Sequence, residues 1–302
     1  MNSNIASETT VSLKEYLEGL TQHIELELER LVPSCDTPYV QLFRAARYSI
    51  LSGGKRIRPI LAIAAAESLG KPIETSIQAA CALEIVHTYS LIHDDLPCMD
   101  DDDFRRGKPS LHKAFSEAHA VLAGDFLLTY AFELLATAPF QDAAQKVELV
   151  RLLSSGGGSH GMIGGQVMDI EGENTALPLE LLQQMHRFKT GALITTSVLF
   201  GATIGKASEH QTGIFKQFGE EIGLAFQIVD DILDVTTCMK KQGVPSSDIK
   251  NQKSTYVSLL GMEKAREMAA VHYSKAIELL ASLPFCTARL QQLADMVVNR
   301  KG

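Results

Sequence analysis

The chain has 302 residues, 45% hydrophobic and 21% charged, with a formal net charge of -8. This length can bury a large core, and the composition is that of a soluble globular protein. The acidic balance argues against a nucleic-acid partner and against anionic membrane surfaces.

The five cysteines (Cys35, Cys81, Cys98, Cys238 and Cys286) form no C-x-x-C pair and no zinc spacing, so they read as free thiols in a reducing compartment. Met1 to Thr10 has neither a basic start nor an apolar stretch of a secretory signal. No run reads as the ~18 apolar residues of a membrane span. The expectation is a cytoplasmic protein without stable membrane insertion.

Strand signals are nearly absent, and helical periodicity runs through the chain. Residues 12–31 alternate Leu with Glu at helical spacing. Val40, Phe43, Ala46 and Ile50 make an apolar stripe that stops at Gly53-Gly54. Pro59 opens a helix reaching about Leu69. Residues 75–96 and 115–137 are apolar on several sides and predict buried helices. Further helices are predicted over 143–170, 179–205, 211–236 and 262–282. Residues 238–253, rich in Lys, Gln, Ser and Asn with Gly243 and Pro245, predict a mobile loop. No linker or repeat divides the chain, so one all-α domain over 1–302 is expected.

The strongest chemical signal is Asp94-Asp95-Leu96-Pro97-Cys98-Met99-Asp100-Asp101-Asp102-Asp103, directly after an apolar helix. Such crowding of carboxylates is repulsive without cations. Hard oxygen donors suit Mg²⁺, which completes its shell with water and substrate phosphates. A second acidic motif, Asp230-Asp231-Ile232-Leu233-Asp234, again sits in an apolar helix. Asp230 and Asp234 share one helix face there.

Cations supply the complementary half. Lys55, Arg56 and Arg58 fall in Gly53–Pro59, at a helix N-terminus that attracts anions. Arg105-Arg106 follows the first acidic motif, with guanidinium geometry matched to phosphate. His87 lies two turns before Asp94 on one helix face. Lys189-Thr190 stands in an apolar stretch, where a snorkelling lysine is the bland alternative. Gly156-x-Gly158-x-x-Gly161 formally fits a dinucleotide fingerprint, but it follows a helix rather than a strand and is rejected. Gln166 and Asp169 lie beyond it with no assigned role. The combination predicts a diphosphate-handling site.

Over nearly its whole length the chain resembles the trans-prenyltransferase (polyprenyl synthase) family. Asp94 to Asp100 is similar to the first aspartate-rich motif in its longer bacterial form, and Asp230 to Asp234 to the second. Gly53 to Pro59, Arg105-Arg106, Gly161 to Gln166, Lys189-Thr190-Gly191 and Phe226-Gln227 follow in family order. The resemblance implies an isoprenoid-synthase-type helical bundle around a deep central cavity, and a homodimer. It implies three Mg²⁺ ions per site, held by Asp94, Asp100 and Asp230, with Asp95, Asp231 and Asp234 supporting. Arg105, Lys189 and Lys240 or Lys241 would grip the allylic diphosphate. Lys55, Arg58, His87 and Arg106 would bind isopentenyl diphosphate. Thr190 and Gln227 would face the developing carbocation, and residues 238–253 would act as a lid. Gln252-Lys253-Ser254-Thr255-Tyr256-Val257 lacks the family's usual Gly and Pro, although Lys253 can still serve the phosphates.

Product length is expected to depend on Tyr89, with Ser90 beside it. Tyr89 lies ~7.5 Å along the helix from Asp94, where a ring would floor the cavity early. In the family an aromatic at this place goes with a C15 product, farnesyl diphosphate, and geranylgeranyl diphosphate is the next reading. The alternative for Tyr89 is a packed core side chain. Other classes are a non-catalytic subunit of a heteromeric synthase, disfavoured by two intact acidic motifs, and a terpene cyclase, which needs no second diphosphate site.

Overall fold

Apolar residues at helical spacing make an all-α chain. The computed structural model describes residues 11–173, 175–240 and 254–300. Ser12 opens α1 (Leu13–Leu31) by a reciprocal capping box with Glu15. After α2 (Val40–Ile50) the backbone turns through Gly53 and Gly54 at φ 78 and 137, values that a side chain would oppose, and enters α3 (Ile57–Ser68). Next come a 3₁₀ turn (Ile73–Thr75) and α4 (Ile77–Asp94). A two-stranded hairpin pairs β1 (Phe104–Arg105) with β2 (Lys108–Pro109). The chain continues as α5 (Leu111–Ala114), α6 (Glu117–Ala136), α7 (Ala143–Gly157), α8 (Met162–Glu171) and α9 (Leu179–His186). A π turn, Arg187–Gly191, leads into α10 (Ala192–Gly205). Then follow α11 (Glu209–Lys240), α12 (Tyr256–Leu260), α13 (Met262–Ala281) and α14 (Ala288–Val298).

Internal packing groups the chain into two compact units, residues 1–63 with 71–150 and residues 64–70 with 151–302. In the first, α4 is buried nearly all round and packs against α6. In the second, α11 packs against α10 and α13. Leu224, Ile228 and Val229 of α11 share a core there with Met185 and Tyr256.

Several boundaries differ from the sequence expectation. The helix over 143–170 is broken at 158–161, where Gly161 N–H donates to Gly158 O at 3.1 Å. The helix over 179–205 contains the π turn. α11 runs to Lys240, so residues 238–240 of the expected loop are helical. Residues 241–253, including Lys241 and Lys253, lie outside the described residues. The hairpin, α5, α12 and α14 were not anticipated. α6 is, by length and composition alone, apolar enough to cross a membrane, which the sequence reading did not find. Its Ala123, Leu127, Ala131 and Leu135 are buried, while Val121 and Leu122 are exposed.

Candidate functional site

In the first unit the acidic motif begins at the C-terminus of α4. The residues after Asp94 fold back on themselves: Asp100 N–H donates to Asp94 O at 2.9 Å, and Met99 N–H to Leu96 O at 2.9 Å. The turn through Leu96 to Met99 thus returns Asp100 to Asp94. Asp95 is buried at 3% exposure and is held by the Arg105 guanidinium, whose Nε donates at 2.9 Å. Burial pushes its pKa up, and Arg105 opposes the shift. Arg105 also reaches Asp102 at 3.2 Å. Among the described residues, Asp101, Asp103 and His112 place potential ligand atoms within 4.8 Å of one another, but Lys113 Nζ already pairs with Asp103 at 2.9 Å.

The cationic residues gather on the same unit. Arg106 donates to Gly53 O, and a Cβ on Gly54 would lie 2.7 Å from the Arg106 guanidinium carbon. This glycine therefore lets the guanidinium lie on the loop carrying Lys55 and Arg58. Lys55 is exposed and Arg58 half-buried. His87 is half-buried, with Nδ1 enclosed and lacking a hydrogen-bond partner among the described residues. Burial first, then the charges of Arg58, Arg106, Arg105 and Arg56, push its pKa well below the usual imidazole value. An imidazole inside such positive potential fits a polyanionic ligand.

Arg56, by contrast, points into the core. It is 2% exposed, donates to Glu84 Oε1 at 2.8 Å and to Ile50 O at 2.7 Å, and adopts φ 48. Tyr89 is 5% exposed, and its hydroxyl has no hydrogen-bond partner among the described residues. Its pKa is pushed up to about 12 by burial and then by the charge of Asp94. Ser90 Oγ donates to His87 O at 2.9 Å.

In the second unit the π turn presents Lys189 and Thr190. Lys189 Nζ lies 2.6 Å from buried Asp169 Oδ2. Close helix approach holds this turn in place. A Cβ on Gly165 of α8 would strike the Lys189 backbone, and one on Gly223 of α11 would come 2.9 Å from Gly191 Cα. Thr190 Oγ1 donates to Gln227 Oε1 at 3.0 Å. Asp230 is half-buried and Asp234 exposed, whereas Asp231 is buried at 3% exposure. Arg300 NH2 sits 2.6 Å from Asp230 Oδ1 and donates to Phe226 O at 2.8 Å. Its guanidinium carbon lies 4.0 Å from the Phe226 ring centroid.

Arg300 and Glu84 carry no motif that marks them in the sequence, and Asp169 has no role assigned by its position there. Asp169 had a signal, a carboxylate in a glycine-flanked apolar helix. A lone Arg near the C-terminus had none.

The donors in each unit fit Mg²⁺ by chemistry: in the first the turn from Asp94 brings the carboxylate residues Asp94 and Asp100 together, and in the second Asp230 and Asp234 lie one turn apart on α11. The fold and these side chains define an all-α protein with two carboxylate motifs and a set of cationic side chains suited to an anionic ligand. A model of the polyprenyl synthetase family matches residues 40–291, and the chain belongs to that family. It is 42% identical over 293 residues to farnesyl diphosphate synthase of Geobacillus stearothermophilus, covering 96% of this chain and 98% of that one. It is 48% identical over 275 residues to the large subunit 1 of a heterodimeric geranylgeranyl pyrophosphate synthase of Arabidopsis thaliana, covering 89% and 74%. An FPP/GFPP synthase structure from Zymomonas mobilis matches with a TM-score of 0.85 and 37% identity, covering 95% and 98%.

Proposed function

We propose that the chain condenses isopentenyl diphosphate with dimethylallyl or geranyl diphosphate, giving farnesyl diphosphate and free diphosphate. Lys55, Arg58, His87 and Arg106 bind isopentenyl diphosphate. Arg105 and Lys189 hold the allylic diphosphate, with Lys241 and Lys253 assigned to it from sequence only. Asp94, Asp100, Asp230 and Asp234 hold Mg²⁺, three ions per site. Bound Mg²⁺ supplies Lewis-acid neutralisation of the diphosphate charge.

The allylic C1–O bond breaks and its electron pair leaves with diphosphate. Thr190 and Gln227 place oxygen dipoles where positive charge develops. The double bond of isopentenyl diphosphate attacks C1, and the proton lost from its C2 passes to the departed diphosphate. Water is excluded because it would capture the cation.

The observation that carries the product assignment is Tyr89, a buried ring on α4 that feels the Asp94 charge. A second reading, geranylgeranyl diphosphate, is favoured by the 48% identity to the Arabidopsis large subunit. Mg²⁺, labelled isopentenyl diphosphate and dimethylallyl diphosphate, followed by mass analysis, decides. A C15 diphosphate supports the proposal; a C20 product moves the chain to the second reading; no product refutes both.

We also propose one functional domain over 1–302 and a homodimer in the cytoplasm. The family match spans both compact units, which supports the single domain. Exposed Val121 and Leu122 on the apolar α6 support a second copy as its cover. Val121→Asp/Leu122→Asp should sediment as a monomer if α6 is the interface.

A further inference from the structure

The second acidic motif carries three aspartates, but its middle one faces inward. Asp231 is 3% exposed. Its Oδ2 accepts from Tyr256 N–H at 2.8 Å, and its Oδ1 accepts from Gln227 Nε2 at 3.3 Å. The amide of Gln227 is therefore oriented: its nitrogen donates to Asp231, and its oxygen accepts from Thr190 at 3.0 Å. A carboxylate can only accept, so it selects this amide orientation over the flipped one.

We infer that Asp231 is a positioning residue that orients the Gln227 amide, and through it Thr190, rather than a metal ligand. The inference rests on the proposed prenyl-transfer function. The orientation matters because a flipped amide would present N–H where an oxygen dipole is needed, turning attraction for a developing cation into repulsion. Asp231 also joins this pair to α12. Thr255 and Ser258 form the capping box that opens α12, and its first residue, Tyr256, supplies the N–H that Asp231 holds. This gives a structural use to Thr255-Tyr256, just before Val257, where the family's usual Pro is missing. Asp230, half-buried and paired with Arg300, and Asp234, exposed, keep the metal role.

Asp231→Asn tests the idea because asparagine has one acceptor oxygen. If that oxygen stays on Tyr256 N–H, the new NH₂ meets Gln227, whose amide must flip to accept from it. The expected result is a fall in kcat on the order of 100-fold, the scale for losing one preorganised dipole. The Mg²⁺ concentration for half-maximal activity should stay at the wild-type value, and Asp230→Asn should raise it.

A binding readout separates this from failure of the proposed function. Thermal stabilisation by Mg²⁺ with inorganic diphosphate should persist in Asp231→Asn and shrink in Asp230→Asn. Gln227→Leu combined with Asp231→Asn should lose no more kcat than the worse single variant, because the two act in one chain of hydrogen bonds. The inference is overturned if Asp231→Asn needs more Mg²⁺ as Asp230→Asn does, or if its stabilisation by Mg²⁺ and diphosphate is lost. It is also overturned if the two substitutions are additive. A wild-type protein without prenyl transfer, yet stabilised by Mg²⁺ and diphosphate, sinks the proposed function instead. Should Asp231→Asn not fold, Asp231→Glu keeps an acceptor-only carboxylate and must retain the wild-type Mg²⁺ requirement.

Discussion

Replacing Glu84 by leucine would strand a guanidinium in the core of the first unit. Arg56 and Glu84 are each 2% exposed, and their 2.8 Å contact is the main compensation for burying both charges. The other carboxylate within reach, Glu25, lies 3.7 Å away with its side chain 45% exposed. Removing one partner of such a buried pair costs about 3–5 kcal/mol, because the remaining charge stays desolvated. That is a large part of the ~5–15 kcal/mol holding a native protein together, and it should lower Tm on the order of 10 °C. The Ile50 carbonyl bond at 2.7 Å softens the loss without removing the charge. The double replacement Arg56→Met/Glu84→Leu should recover most of the stability, since no charge is then buried. The KM for isopentenyl diphosphate should nevertheless stay raised in the double variant. Arg56 holds the loop between Lys55 and Arg58 at φ 48, which a side chain tolerates only under restraint. Urea unfolding followed by circular dichroism, with initial rates across isopentenyl diphosphate concentrations, measures both effects. A single-variant cost under about 1 kcal/mol, or a double variant as unstable as the single, would refute this account.

Tyr89→Ala should lengthen the product beyond C15 by removing a buried ring; mass analysis showing an unchanged C15 product would end its assignment as the cavity floor. Arg300→Gln should lower the Mg²⁺ concentration for half-maximal activity roughly fivefold, since removing a partly exposed pair with Asp230 is worth about 1 kcal/mol; an unchanged or higher requirement would show that Arg300 does not compete with the metal. Burial pushes the pKa of His186 down to about 3. The unfolded chain protonates it near 6.5, so the unfolded state binds more protons between these values, and stability must fall as pH drops through that window. His186→Asn should flatten the acid limb of a stability–pH curve measured by urea unfolding; an unchanged slope below pH 6 would remove His186 as its cause.

Much of the architecture could be read from repeating apolar positions. α2 and α13 match the expected spans within a residue or two, because their stripes end at glycine or polar punctuation. The break at 158–161 departs from the expected single helix over 143–170, which runs straight through Gly156, Gly158 and Gly161. The π turn had no signal, because one extra residue in a turn leaves local composition unchanged. The acidic motifs stood out as carboxylates inside apolar helices. Which aspartate is buried was harder to read: Asp231 is adjacent to Asp230 in the same helix, and its 3% exposure and its bond from Tyr256 N–H come from a segment distant in sequence. Arg56 was read as one of three cations at a helix mouth, but its partner Glu84 is distant in sequence, so its burial could not be seen.

The glycines packed around the π turn limit how this enzyme could be altered. Gly165, Gly219 and Gly223 each bring a helix backbone so close to the segment from Lys189 to Thr195 that even a methyl group would collide; at Gly219 it would lie 2.7 Å from Thr195 Cα. A saturation library should therefore recover almost nothing but glycine at these three positions. Tyr89 carries no such backbone constraint and should accept many residues with a changed product. Diversification aimed at product length has room along α4, whereas the turn bearing Lys189 and Thr190 leaves little slack for redesign.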